Sequence, residues 1–153
     1  MLVYRISKTK YANDLSGEGS RLNGGRWNHI SIPCVYTSES IALAVLEFTV
    51  NVDINFLPDS LSIVTVQIPD KDVMEFDIKD LPDNWREIPS PIETKDFGTA
   101  FLKSLSSPVI KIPSVVIPDE HNYILNPLHK ESKNFKVISV KNFEYDKRIR
   151  FSK

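Results

Sequence analysis

One carboxylate and two arginines occupy positions that their neighbours do not explain. Between Ser40 and Val52 the only ionisable residue is Glu47, set in the run Ile41-Ala42-Leu43-Ala44-Val45-Leu46-Glu47-Phe48-Thr49-Val50. At about 100° per residue its helical neighbours one turn away are Leu43, Ala44 and Val50, so no charged stripe accompanies it. A carboxylate on a mostly apolar helix loses hydration worth several kcal/mol and persists only when paired, hydrogen-bonded or facing a cleft. A structural ion pair or a solvent-facing stripe is one reading of Glu47, and a site acid is the other. Arg5 lies between Tyr4 and Ile6 on an apolar stretch, where an inward guanidinium would need an anionic partner, either Glu47 or a ligand. Arg26 follows Gly24-Gly25 and precedes Trp27-Asn28. A guanidinium grips phosphate or carboxylate through two parallel N–H bonds, and an indole packs under a flat ring, which are the groups a nucleotide needs. The alternative is that Trp27 belongs to the core and Arg26 to the surface.

Gly17, Gly19, Gly24 and Gly25 are four of the five glycines in the chain and fall within nine residues. Glycines this close let the backbone take positive φ and turn its N–H groups toward an anion, although a Gly-Gly pair also makes an ordinary tight turn. A dinucleotide fingerprint would need a glycine where Leu22 stands and a helix directly afterwards. A Walker A loop would need Gly-Lys-Ser or Gly-Lys-Thr, which does not occur. His29, His121 and His129 lack metal-ligand spacing, and the single cysteine, Cys34, can complete neither a zinc site nor an internal disulfide. His129-Lys130-Glu131 matches half of a zinc-deaminase signature whose Pro-Cys-x-x-Cys half is missing, and no Gly-x-Ser-x-Gly elbow is present.

The elements that must carry these residues are short. Pro69, Pro82, Pro89, Pro91, Pro108, Pro113, Pro118 and Pro127 cut the middle and second half into pieces too brief for long helices. Runs rich in Val, Ile, Tyr and Phe predict strands at 2–6, 34–37, 61–68, 73–77, 109–112, 115–117 and 134–140. The stretch 38–51 predicts a helix with Ser38 as N-cap and Glu39 in its first turn. A second helix is expected at 96–106, with Phe97, Ala100, Phe101 and Leu105 on one side. Regular β-α-β alternation is missing, so the expected fold is α+β with mainly antiparallel strands and a few helices.

Size and charge exclude several classes. The chain has 153 residues, 41% hydrophobic and 25% charged, and forms a single expected domain over 1–153. Nineteen Lys and Arg against twenty Asp and Glu leave a net charge of −1, so no overall field draws it to nucleic acid or an anionic membrane. A basic tail of Lys141, Lys147, Arg148, Arg150 and Lys153 is the local exception. With no signal-like start and no apolar run of about 18 residues, a cytoplasmic protein is expected.

The order of these residues resembles one family. Tyr4-Arg5, Gly17-x-Gly19, Gly24-Gly25-Arg26-Trp27-Asn28, Val35-Tyr36-Thr37-Ser38 and Ala44-x-x-Glu47 are similar to the RES-domain toxins of bacterial toxin–antitoxin pairs. The second half continues the resemblance through Gly98-x-x-Phe101, then Ile112-Pro113-Ser114-Val115-Val116-Ile117-Pro118, then Asn122-Tyr123-x-x-Asn126-Pro127-x-His129. Ser20 stands where alanine is usual in the family, and Phe101 where tryptophan is common. The resemblance implies a fold similar to the ADP-ribosyltransferase toxins, and Arg26, Glu47 and Ser114 as the residues that name the family. It implies a growth-arresting enzyme that degrades NAD⁺ by cleaving the nicotinamide–ribose bond, an NADase, with a mono-ADP-ribosyltransferase as the alternative. Glu47 would stabilise the oxocarbenium-like ribose, and Arg26 and Arg5 would hold the pyrophosphate, helped by the amides of Gly24 and Gly25. Tyr36 would stack on the nicotinamide, with Asn28 beside it, and Ser114 would orient the ribose or Glu47. No cofactor beyond NAD⁺ as substrate and no metal is implied. The implied partner is a cognate antitoxin with an Xre-type helix-turn-helix domain that occludes the site. Neither membrane nor direct nucleic-acid contact is expected, and a homodimer is left open.

Overall fold

The computed structural model describes residues 1–149, so Arg150 and Lys153 of the basic tail lie outside the described residues. The strands are β1 (Leu2–Lys8), β2 (Val35–Ser38), β3 (Leu61–Gln67), β4 (Val73–Glu75), β5 (Val109–Pro113), β6 (His121–Leu125) and β7 (Lys136–Phe143). They form a seven-stranded sheet in the order β4-β5-β6-β2-β1-β3-β7. Only β4 and β5 run parallel among its neighbouring pairs. The helices are α1 (Glu18–Asn23), α2 (Ile41–Val50) and α3 (Ile92–Ser104). The expected α+β class is the one observed, and no helix among the described residues is long and apolar enough to cross a membrane.

Side-chain alternation sorts the core onto two faces. Val3, Val64, Val66, Val109, Tyr123 and Leu125 join one buried cluster with Ala12 and Phe135. Their strand neighbours point the other way. Ile6 packs with Ala44 of α2 and Leu61, while Ile110, Ile112 and Ile124 pack with Leu102 of α3, Trp27 and Trp85. α2 and α3 therefore cover the same face of the sheet. α3 comes so close to the Trp27 loop that a Cβ on Gly98 would stand 2.0 Å from the Trp27 carbonyl oxygen, which makes glycine necessary there.

Several boundaries differ from those expected, each for a local reason. The cap of α2 is Ser40, whose hydroxyl accepts from the Leu43 amide at 3.1 Å, while Ser38 remains in β2. α3 begins at Ile92 after Pro91, whose fixed φ suits a helix start, and it ends at Leu105 in the left-handed region. The expected strand 115–117 does not form. Ser114 Oγ takes the amides of Val116 and Ile117 at 3.0 and 3.1 Å, so a side chain wins hydrogen bonds that a ladder would need. β6, unexpected from its polar start His121-Asn122, forms because it lies between β5 and β2.

Candidate active site

The site is built where β2 and β5 end and β6 begins, beneath α2. Ser38 and Asn122 are direct cross-strand partners, and Pro113, the last residue of β5, pairs with His121. Ser114 follows at once, with its amide bonded to Glu120 O at 2.8 Å. Glu47, three residues from the end of α2, reaches this corner. Its Oε1 accepts from Ser114 Oγ at 2.7 Å and from Asn122 Nδ2 at 2.6 Å. Ser114 is fully buried, and because its oxygen already accepts two amides, its proton is directed to the carboxylate. Ser38 Oγ in turn donates to Asn122 Oδ1 at 2.7 Å. Glu47 Oε2 has no hydrogen-bond partner among the described residues. The apolar setting of Glu47 is thus resolved by two neutral donors, not by the ion pair that was one of the readings.

Arg26 approaches from the turn after α1. Its Nη1 donates to the carbonyls of Trp85 at 2.8 Å and Glu87 at 2.9 Å, which leaves Nε and Nη2 as a side-on pair of donors. Burial lowers the Arg26 pKa below the ordinary value, and the nearby Glu47 and Tyr36 oppose the shift. The guanidinium and the Glu47 carboxylate thus sense each other, with no direct hydrogen bond between them.

Tyr36 is anchored from both sides of its hydroxyl, which accepts from the Trp27 amide at 3.0 Å and donates to Asn28 Oδ1 at 2.7 Å. Burial holds this phenol well above its usual pKa, so it remains neutral. The expectation for Asn28 is corrected. It is fully buried, and its Nδ2 donates to Ser20 O and Ile32 O, both at 2.9 Å, so it shapes the loop and presents nothing to a ligand. The anion-binding role expected of Gly24 and Gly25 is corrected as well, because their amides go to Ser20 O at 2.8 Å and Asn28 O at 3.1 Å. What Gly25 supplies is room: a Cβ there would lie 2.7 Å from the Tyr36 hydroxyl. Trp27 is 4% exposed and edge-on to Phe97, which makes it core.

Arg5 does not pair with Glu47. Its Nη2 donates to the carbonyls of Tyr11 and Ala12, each at 3.2 Å, and of Asp14 at 2.6 Å, and its buried Nε has no partner. Burial lowers its pKa, with Asp14 opposing. Arg5 and Tyr36 both line a cavity of about 470 Å³ walled by residues of α1 and by Asp14 and Cys34, and neither Glu47 nor Arg26 is in that wall. The cavity opens where β1 and β2 part, since they meet at the single pair Tyr4–Ser38. The structure therefore joins Glu47 and Ser114 at one corner, leaves Arg26 interacting with Glu47 through charge alone, and places Arg5 and Tyr36 together in the cavity. Asn122, part of a quoted motif to which no role was attached, and Ser38, read as a helix cap, are the site residues that sequence reasoning missed. The available signal was the polar pair His121-Asn122 directly before Tyr123-Ile124-Leu125, a run that was not read as a strand.

Comparison with known proteins places this α+β domain in a family. Residues 2–147 match the family model described as the RES domain, and the chain belongs to that family. It is 34% identical over 152 residues to "Toxin Res" of Yersinia enterocolitica, covering 98% of this chain and 100% of that one. It is 33% identical over 146 residues to the "Prs ADP-ribosylating toxin" of a Sphingobium species, covering 94% and 91%. Among solved structures, the M. tuberculosis MbcT–MbcA toxin–antitoxin complex superposes with a TM-score of 0.75 at 16% identity, covering 93% of this chain and 83% of that chain.

Proposed function

We propose that this protein is a toxin that cleaves the bond between nicotinamide and ribose in NAD⁺. The observation that carries the reading is the Glu47 carboxylate, fixed through Oε1 by Ser114 and Asn122 with Oε2 unengaged, in the electrostatic reach of Arg26. Departure of neutral nicotinamide leaves positive charge on the ribose carbon and ring oxygen. A rigid carboxylate oxygen beside it stabilises that transition state more than the ground state. Arg26 offers Nε and Nη2 to the pyrophosphate, the Tyr36 ring faces the nicotinamide, and the rest of the dinucleotide runs toward Arg5 and its cavity. Water then adds to the ribose carbon and loses a proton, giving ADP-ribose. Neither the corner nor this chemistry calls on a metal.

A relative named as an ADP-ribosylating toxin favours a second reading, in which a protein side chain takes the place of water in the same pocket. Incubation of purified protein with NAD⁺ alone separates the two. An NADase releases nicotinamide stoichiometrically without an acceptor, whereas a transferase leaves NAD⁺ largely intact until one is added. Glu47→Gln keeps a carbonyl oxygen for both donors and so keeps the fold, while turnover is expected to fall by at least about 100-fold, as when a preorganised electrostatic group is lost. Wild-type turnover in that variant would refute the assignment. In this reading an antitoxin inhibits by covering the corner and competes with substrate, so an unreactive NAD⁺ analogue at saturation weakens antitoxin binding.

A further inference from the structure

The carboxylate of Glu47 is held asymmetrically, and the chain of groups behind it extends further than the residues that name the family. We propose that Asn122, oriented by Ser38, is a positioning residue that fixes Glu47 with Oε2 toward the ribose. The inference rests on the reading of Glu47 as the acid beside the scissile bond.

A carboxylate only accepts hydrogen bonds, so the Asn122 amide must present its NH₂ and not its carbonyl. A free asparagine side chain has no fixed preference between the two orientations. Ser38 creates one. Its hydroxyl, 3% exposed and directly across the β2–β6 ladder, donates to Oδ1 at 2.7 Å, which leaves Nδ2 at 2.6 Å from Glu47 Oε1. An inverted amide would set Nδ2 against Ser38 and Oδ1 against the carboxylate, where two acceptors repel. Ser114 reaches the same oxygen from the β5–β6 loop at 2.7 Å. Two donors from two different elements thus converge on Oε1 and none on Oε2, which sets the rotation of the carboxylate about its last bond. Loop and strand would each fix that rotation less well alone, because α2 carries Glu47 near its C-terminal end, where one bond leaves the side chain free to pivot.

The test compares kcat, KM for NAD⁺ and the pH dependence of kcat in Asn122→Ala, Asn122→Asp, Ser38→Ala and Glu47→Gln. Losing a hydrogen bond to a charged group is expected to lower kcat about 10- to 100-fold in Asn122→Ala, with little change in KM. The acid side of the pH profile should move to higher pH, since the charged carboxylate keeps one donor fewer. Asn122→Asp sets a second carboxylate against Glu47 and should move that side further. Ser38→Ala, a smaller change that keeps the fold, should move both quantities in the same direction by less. An inactive Glu47→Gln beside an Asn122→Ala and a Ser38→Ala with wild-type kcat and pH profile overturns the positioning role alone. A rise in KM that accounts for the whole loss overturns it as well, by making Asn122 a binding group. An active Glu47→Gln overturns the function reading first.

Discussion

At the scale of single residues, Arg26 shows how one side chain can be both structural and available. Nη1 ties the turn after α1 to the carbonyls of Trp85 and Glu87, and the side-on pair Nε and Nη2 is left for an anion. A lysine can satisfy one of these demands but not both, because a single ammonium has no second prong. Arg26→Lys is therefore expected to lose most NAD⁺ turnover, with a higher KM as the main change, and steady-state kinetics would show it. Full activity in that variant would reduce Arg26 to a local charge. Much of this chemistry was readable in advance. Glu47 stood out because its segment held no other charge, and Arg26 because two glycines preceded it. The fates of Asn28, Gly24 and Gly25 were not readable, because whether an amide faces a ligand or a neighbouring carbonyl depends on how Ser20, Asn28 and Tyr36 fold against one another.

At the scale of elements, the close crossing of α3 over the Trp27 loop decides where Arg26 can be. Gly98→Ala would drive a methyl into the Trp27 carbonyl, 2.0 Å from the ideal Cβ position. Relief requires α3 or the loop to move, at a cost of about 1–3 kcal/mol or more. Urea unfolding should report the loss, and turnover should fall with it because Arg26 adjoins the displaced residue. The strand runs at 2–6, 34–37, 61–68 and 109–112 were legible from β-branched composition. The loop at 115–117 was not. Val115, Val116 and Ile117 have strand propensity, and only the tertiary position of Ser114, with its oxygen accepting two amides while its proton serves Glu47, turns that run away from the sheet. Ser38 was misjudged in the same manner: a serine before an apolar helix reads as a cap, yet Ser40 caps α2 and leaves Ser38 to the β2–β6 pair.

At the scale of the molecule, burial also sets the chemistry of a group away from the Glu47 corner. The Cys34 thiol is 1% exposed, and burial pushes its pKa up to about 12. In the unfolded chain a thiol titrates near about 8.5. The folded value is the higher one, so this contribution to stability is whole below the unfolded pKa and is lost as pH rises toward the folded one. Urea midpoints should fall between pH 8 and pH 10 by less in Cys34→Ala than in the native sequence, and iodoacetamide at pH 8 should label Cys34 only once the protein unfolds. A larger consequence lies in the sheet itself. β1 pairs with β3 at seven positions but with β2 only at Tyr4–Ser38, so the seven strands are two blocks, β4-β5-β6-β2 and β1-β3-β7, joined at one rung. Arg5 belongs to one block, while Ser114 and Asn122, which hold Glu47, belong to the other. A bound dinucleotide touching both would lace the blocks together, as a splint does across a joint. Amides along the seam should then exchange with deuterium ahead of those inside either block in the free protein, and slow selectively when an unreactive NAD⁺ analogue is bound.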